Sequence, residues 1–178
     1  MIKKWKTLEE KDVSLNEYLK IYKHRVQLPN GKVIDDYGVV DLGAGAVVVP
    51  ITDEGKIILV RQYRHGSGEV ITGFPAGRYD EGELPETTAV RELKEETGYE
   101  TKNIKYLGRL ISNPGKNKGW VKVYLAKDCI KKGEPKGDVT EEMEVLAVDW
   151  DKMEKLILEG EIVEAQTIAA WMLARKFV

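Results

Sequence analysis

The chain contains a single cysteine, Cys129, and only two histidines, His24 and His65. An intrachain disulfide is therefore excluded, and so is a soft-metal site built from clustered cysteine and histidine. No run approaches the ~18 apolar residues that a membrane helix needs. The basic start, Met1 to Lys6, leads into Thr7-Leu8-Glu9-Glu10-Lys11 instead of an apolar signal core, so a cytoplasmic protein is expected. Neither sign of charge is in excess: 28 Lys and Arg against 30 Asp and Glu give a net charge of -2. Such a balance offers no broad attraction for nucleic acid or an anionic membrane. The phosphate loop Gly-x-x-x-x-Gly-Lys-Ser/Thr does not occur. Gly43-Ala44-Gly45 fails the dinucleotide pattern because Val48 stands in its last position, so kinase and dehydrogenase readings fall away.

The 178 residues, 42% apolar and 33% charged, suffice for one core with at most a small appendage. Residues 18 to 28 alternate bulky or β-branched with polar side chains, and Pro29-Asn30-Gly31 follows as a turn, which predicts a hairpin returning over 32 to 40. Further strands are expected over 43 to 51, 56 to 62, 103 to 112, 119 to 126 and 144 to 150, with a long polar loop over 127 to 142. From Leu84 to Thr97 the apolar period changes to that of a helix, with Pro85 in its first turn, Ala89, Val90 and Leu93 as its stripe and Gly98 as its stop. A short helix over 151 to 158 and an amphipathic one over 163 to 176 complete the α/β (α+β) pattern. We therefore divide the chain into an N-terminal β segment, 1 to 42, and a main domain, 43 to 178.

Within the first helix Glu92, Glu95 and Glu96 stand at i, i+3 and i+4, which confines three carboxylates to an arc of roughly 100°. Like charges so close repel, and a hard divalent cation with oxygen ligands turns that repulsion into binding; Mg²⁺ or Mn²⁺ is the natural partner. Arg91 and Glu83 are placed to brace the carboxylates. A Glu-Glu pair alone is usually only a solvated helix face. The full stretch, however, fits G-x5-E-x7-R-E-aliphatic-x-E-E-x-G-aliphatic at Gly77, Glu83, Arg91, Glu92, Leu93, Glu95, Glu96 and Gly98, a chance match on the order of 10⁻⁵.

This pattern resembles the signature of the Nudix hydrolases, complete except that Tyr99 holds the last aliphatic position. The resemblance implies an α/β/α sandwich with a mixed sheet, divalent metal, and hydrolysis of a nucleoside diphosphate linked to a group X. It implies Glu92 and Glu96 as chief metal ligands, Glu95 as auxiliary ligand or water-orienting catalytic group, and the Ala76 carbonyl as a further metal contact. Gly77, Glu83, Arg91 and Gly98 match the structural frame, with Arg91 bearing on the catalytic carboxylates.

The flanking segments Leu28-Pro29-Asn30-Gly31-Lys32, Val60-Arg61-Gln62-Tyr63-Arg64, Phe74-Pro75-Ala76-Gly77 and Ala165-Gln166-Thr167-Ile168-Ala169-Ala170 look like the ADP-ribose pyrophosphatase branch, as does Pro114, fifteen residues beyond Tyr99. That implies cleavage of ADP-ribose to AMP and ribose 5-phosphate. Another nucleoside diphosphate sugar or dinucleotide (GDP-mannose, NADH, diadenosine polyphosphate), or a nucleotide-binding module, is the alternative. Arg61 and Arg64 are candidates to grip phosphate or stack on adenine, against a role bracing a dimer. Pro114 is either substrate-site marker or simple turn. Glu141 and Glu142, at the end of the polar loop, are candidates for the general base, with Glu144 in reserve. Members of this branch often carry glutamate four residues before the first signature glycine, and here that position is Gly73, with Glu69 four residues earlier. Relatives are usually homodimers through the N-terminal segment, whose Leu19, Ile21, Tyr22, Val26, Leu28, Val33 and Ile34 exceed what a two-stranded ribbon buries alone. Tyr22 and Tyr37 are core or interface residues, or platforms for a base.

Overall fold

Gly45 to Ile51 is buried without interruption, a continuous apolar run that only a strand covered on both faces can keep. The computed structural model, which describes residues 1–16, 19–136 and 142–177, shows what covers it. This strand, β4 (Gly45–Thr52), runs parallel to β10 (Val121–Lys131) and antiparallel to β5 (Ile57–Arg64) and β7 (Ala76–Arg78). β5 pairs with β6 (Glu69–Gly73) and β11 (Met143–Val148), while β10 pairs with β8 (Tyr99–Glu100) and β9 (Asn103–Leu110). The result is a mixed sheet. Alternate residues of β4 serve opposite layers. Ala46 and Val48 pack with Ala89 and Leu93 of α1 (Pro85–Thr97) and with Tyr124. Val47, Val49 and Ile51 pack with Met153 of α2 (Trp150–Leu158) and with Ala170, Trp171 and Ala174 of α3 (Ala165–Ala174). Helices on both faces make this unit, Ala44–Leu110 with Val121–Val178, an α/β/α sandwich.

A second compact unit comprises Met1–Gly43 and Ile111–Trp120. Its sheet has the order β1 (Lys6–Asp12), β2 (Lys20–Gln27) and β3 (Val33–Asp41), all antiparallel. The β2–β3 turn closes through the Leu28 N–H to Lys32 O at 2.8 Å and the Lys32 N–H to Asn30 Oδ1 at 3.0 Å, with Gly31 at φ 86°, a value glycine adopts without a Cβ penalty. Residues 111–120 lie along this sheet: Val40 bridges Asn117, Tyr37 Oη donates to Gly115 O, and Lys118 pairs with Glu10 at 2.9 Å. Lys116 and Lys118 place their ammonium groups 4.0 Å over the rings of Tyr37 and Tyr22.

The structure departs from the sequence reading in several places. Three further strands, β1, β6 and β7, and the short β8 join the predicted ones. The polar stretch after Ala126 is strand as far as Lys131, because a bulge with Asp128 at φ 55° interrupts the alternation without ending the pairing. The strand expected to reach Trp150 ends at Val148, since Asp149 caps α2 and Trp150 begins it. The last helix is shorter than expected at both ends and finishes in a 3-10 turn, Arg175–Phe177.

Candidate active site

Pro85 occupies the first turn of α1, where its missing N–H costs nothing, and Gly98 ends the helix at φ 73° with its N–H bonded to Lys94 O. The buried stripe of Ala89 and Leu93 fixes the rotation of the helix, and that rotation turns Arg91, Glu92, Glu95 and Glu96 toward β7 and the segment before it. Tyr99 packs against the α1-side core, so the aromatic ring fills the apolar place that the signature calls for.

Arg91 is the hub of the acidic face. Its Nε and Nη2 each reach a Glu83 carboxylate oxygen at 3.0 Å, a fork-on-fork pair, while Nη2 also donates to Arg78 O at 3.1 Å. Nη1 donates to Glu92 Oε1 at 2.7 Å and Glu95 Oε2 at 2.9 Å. One guanidinium therefore spans three carboxylates and screens their mutual repulsion. Arg91 holds the Glu83 carboxyl down at about 2, helped by the Thr88 hydroxyl at 2.7 Å and the Asp80 N–H at 3.1 Å, while burial opposes. The same contacts, led by Glu83, push the Arg91 pKa above its ordinary value. Glu96 is 4% exposed and accepts the Ala76 N–H at 3.1 Å, which ties the helix to β7.

Space is allotted tightly here. A Cβ on Gly45 would lie 2.5 Å from Gly77 O, and one on Gly77 would lie 1.9 Å from Glu92 Oε1. Both glycines are present because backbone and carboxylate approach where a side chain would be. Beside Glu95 a groove of about 410 Å³ opens between the end of α1 and Lys132–Lys136.

Glu92 and Glu95 thus meet at Arg91 and Glu96 meets the Ala76 backbone, and all three side chains offer oxygen, the chemistry that a hard divalent cation takes. Among the described residues no three acidic, histidine or cysteine side chains converge as a finished cage. Glu92 and Glu95 each turn an oxygen to Arg91, and Glu96 turns one to Ala76. The donor set fits Mg²⁺ or Mn²⁺ in kind.

The other predicted residues fall elsewhere. Arg61 on β5 donates to Thr72 Oγ1 at 3.2 Å and pairs with Glu144 of β11 at 3.3 Å. Arg64 ends β5, exposed, opposite Glu69. Glu142 is exposed just before β11, and Glu141 lies outside the described residues. Pro114 belongs to the β1–β3 unit, in a turn where the Lys116 and Asn117 N–H groups both donate to Asn113 O at 2.9 Å. Two contributors escaped the sequence reading. Thr88 is a buried hydroxyl whose spacing from Glu83 was its only signal, and Thr167 is a buried hydroxyl that meets the chain ninety-three residues away at Phe74.

The family profile described as NUDIX domain matches residues 41–172, most of the chain. The chain belongs to the Nudix family. A second profile, the nucleoside diphosphate sugar hydrolase N-terminal domain, matches residues 5–40. The ADP-ribose pyrophosphatase of Bacillus subtilis is 37% identical over 93% of this chain and 89% of that protein. The methanol dehydrogenase activator of Bacillus methanolicus is 34% identical over the same shares, 93% and 89%. The ADP-ribose pyrophosphatase of Mycobacterium tuberculosis is 31% identical over 93% of this chain and 80% of that one. Among solved structures, a crystal structure of an ADP compounds hydrolase superposes with a TM-score of 0.86 over 99% of this chain and 95% of its own; at 24% identity it supports the Nudix fold. The protein is thus a Nudix hydrolase, an enzyme of the diphosphate bond. Among the described residues no helix is long and apolar enough to cross a membrane.

Proposed function

We propose that this Nudix hydrolase cleaves ADP-ribose to AMP and ribose 5-phosphate with Mg²⁺, or Mn²⁺ in its place. The observation that carries the reading is the acidic face of α1, where Arg91 holds Glu83, Glu92 and Glu95 in one network and Glu96 is tied to Ala76. The names of the Bacillus subtilis and Mycobacterium tuberculosis relatives support the choice of substrate.

Glu92, Glu96 and the Ala76 carbonyl would hold the metal, with Glu95 as auxiliary ligand or orienting group for the water. When bound, a divalent cation neutralises diphosphate charge and lowers the pKa of a water. Arg91 keeps Glu92 and Glu95 in register through the pairs already described, so the carboxylates need little reorganisation when substrate arrives. Glu142, ahead of β11, is our candidate to take the proton from the attacking water at its carboxylate, and Glu141 is the alternative. Arg61 and Arg64 are assigned to the nucleotide or its phosphates, and Pro114 to the substrate site. Residues 1–42 are assigned to dimerisation and 43–178 to hydrolysis, in a cytoplasmic homodimer whose lone buried Cys129 requires no oxidising compartment.

The test is a substrate panel with purified protein and Mg²⁺, products resolved by chromatography. ADP-ribose should be turned over fastest, giving equal AMP and ribose 5-phosphate. Equal or better turnover of GDP-mannose, NADH or diadenosine polyphosphate overturns the substrate assignment, and light scattering showing a monomer overturns the dimer.

A further inference from the structure

Helix α3 grips the segment Gly73–Ala76 from the face of the sheet opposite α1. The Phe74 N–H donates to Thr167 Oγ1 at 3.1 Å in a buried contact, and Thr167 Oγ1 donates in turn to Glu164 Oε2. A hydroxyl that must accept from one neighbour needs an acceptor for its own proton, and a carboxylate is the strongest one a side chain offers. Glu164 stands at the N-cap of α3, yet its side chain makes no bond to the N–H groups of that helix. Its carboxylate instead accepts the Thr167 hydroxyl, one turn into the helix.

Gly73 makes the arrangement possible. A Cβ there would lie 2.7 Å from Glu164 Oε2 and 2.8 Å from Thr167 Oγ1. Its φ lies outside the left-handed range, so the position requires the missing side chain and not an unusual backbone. Two residues beyond Phe74, the Ala76 N–H is held by Glu96 at 3.1 Å. One short segment is thus fastened at Phe74 from α3 and at Ala76 from α1.

We infer that Glu164 is a positioning residue: through Thr167 it sets the backbone of Phe74–Ala76, and with it the Ala76 carbonyl and Glu96, while Gly73 is the space its carboxylate fills. Glu69, four residues before Gly73, is exposed opposite Arg64 at the other end of β6. The inference rests on the metal-dependent hydrolase reading above.

The test compares Glu164→Ala and Thr167→Val, which break the relay, with Glu164→Gln and Thr167→Ser, which keep an acceptor and a hydroxyl. Mn²⁺ affinity is read by electron paramagnetic resonance without substrate, kcat and KM with ADP-ribose, and folding by thermal melting. Supporting groups behind metal ligands typically count for about 10- to 100-fold in affinity or activity. Glu164→Ala and Thr167→Val should therefore weaken Mn²⁺ binding and lower kcat by about tenfold or more, with KM moved less. The conservative pair should stay within about threefold of wild type, well inside that range. Should Thr167→Val fail to fold, Glu164→Ala decides, because Glu164 is only half-buried. Folded Glu164→Ala protein with wild-type Mn²⁺ affinity and kcat overturns the inference alone. Wild-type protein that binds no Mn²⁺ overturns the metal reading, and the inference with it.

Discussion

Replacing Gly77 by alanine isolates the placement of Glu92 from the stability of the fold. The added Cβ would stand 1.9 Å from Glu92 Oε1 and 2.2 Å from its Cδ, so the carboxylate must retreat by about 1.1 Å to restore the 3.0 Å below which real Cβ contacts essentially never fall. The clash falls on the far end of the Glu92 side chain and not on backbone, so the retreat costs one off-rotamer adjustment of about 0.5–1.5 kcal/mol. The retreat also pulls Oε1 away from Arg91 Nη1, now at 2.7 Å, and removes a metal ligand from its place in the proposed site. A misplacement of about 1 Å in a reacting constellation costs about 10²-fold in rate. Gly77→Ala should therefore melt within a few degrees of wild type and hydrolyse ADP-ribose about 100-fold more slowly at saturating Mg²⁺, a loss of about 2.7 kcal/mol in transition-state stabilisation. Initial rates across an Mg²⁺ series, with melting curves on the same samples, make the comparison. A variant that melts normally and turns over within about threefold of wild type, far inside that 100-fold loss, would show that the position of Glu92 does not govern the reaction.

Further outcomes follow from the same geometry. Glu96→Gln keeps an oxygen to accept the Ala76 N–H but loses the charge, so turnover should fall by orders of magnitude with the fold intact, and a wild-type rate would refute the metal role of Glu96. Gly98→Ala meets both a left-handed φ of 73° and the Gly133 carbonyl at 2.1 Å; a loss of about 2 kcal/mol or more is expected in denaturant titration. Glu83, lowered from 4.5 to about 2, contributes stability that is complete above pH 4.5 and lost as pH falls toward 2. Acid unfolding of Glu83→Gln should therefore have a shallower slope in that window, and identical slopes would show that the Arg91 pair contributes nothing. Burial raises the Cys129 thiol to about 12, so iodoacetamide should leave the native protein unmodified at pH 8 and react only in denaturant.

What could be read from the sequence was whatever a single local element encodes. Glu92, Glu95 and Glu96 lie within one helical turn and a half, so their convergence follows from helix geometry, and Gly77, Glu83 and Gly98 bound the same element. β4 and α1 were legible for the same reason: each carries its own apolar pattern. β1 was not, because every one of its seven residues is exposed and no alternation marks a buried face. The extension of β10 past Ala126 was hidden by a bulge, which preserves pairing while breaking the period of two. Gly73 shows the limit most plainly. In sequence it reads as an acid that is missing; in the fold it is room made for Glu164, whose link to Phe74 through Thr167 crosses ninety-three residues. A glycine forced by a distant side chain has no local signature, since neither its φ nor its neighbours announce what occupies the space above it. The polar contacts that fix a site from behind therefore stay hidden longest, because each joins elements whose sequences carry no mark of one another.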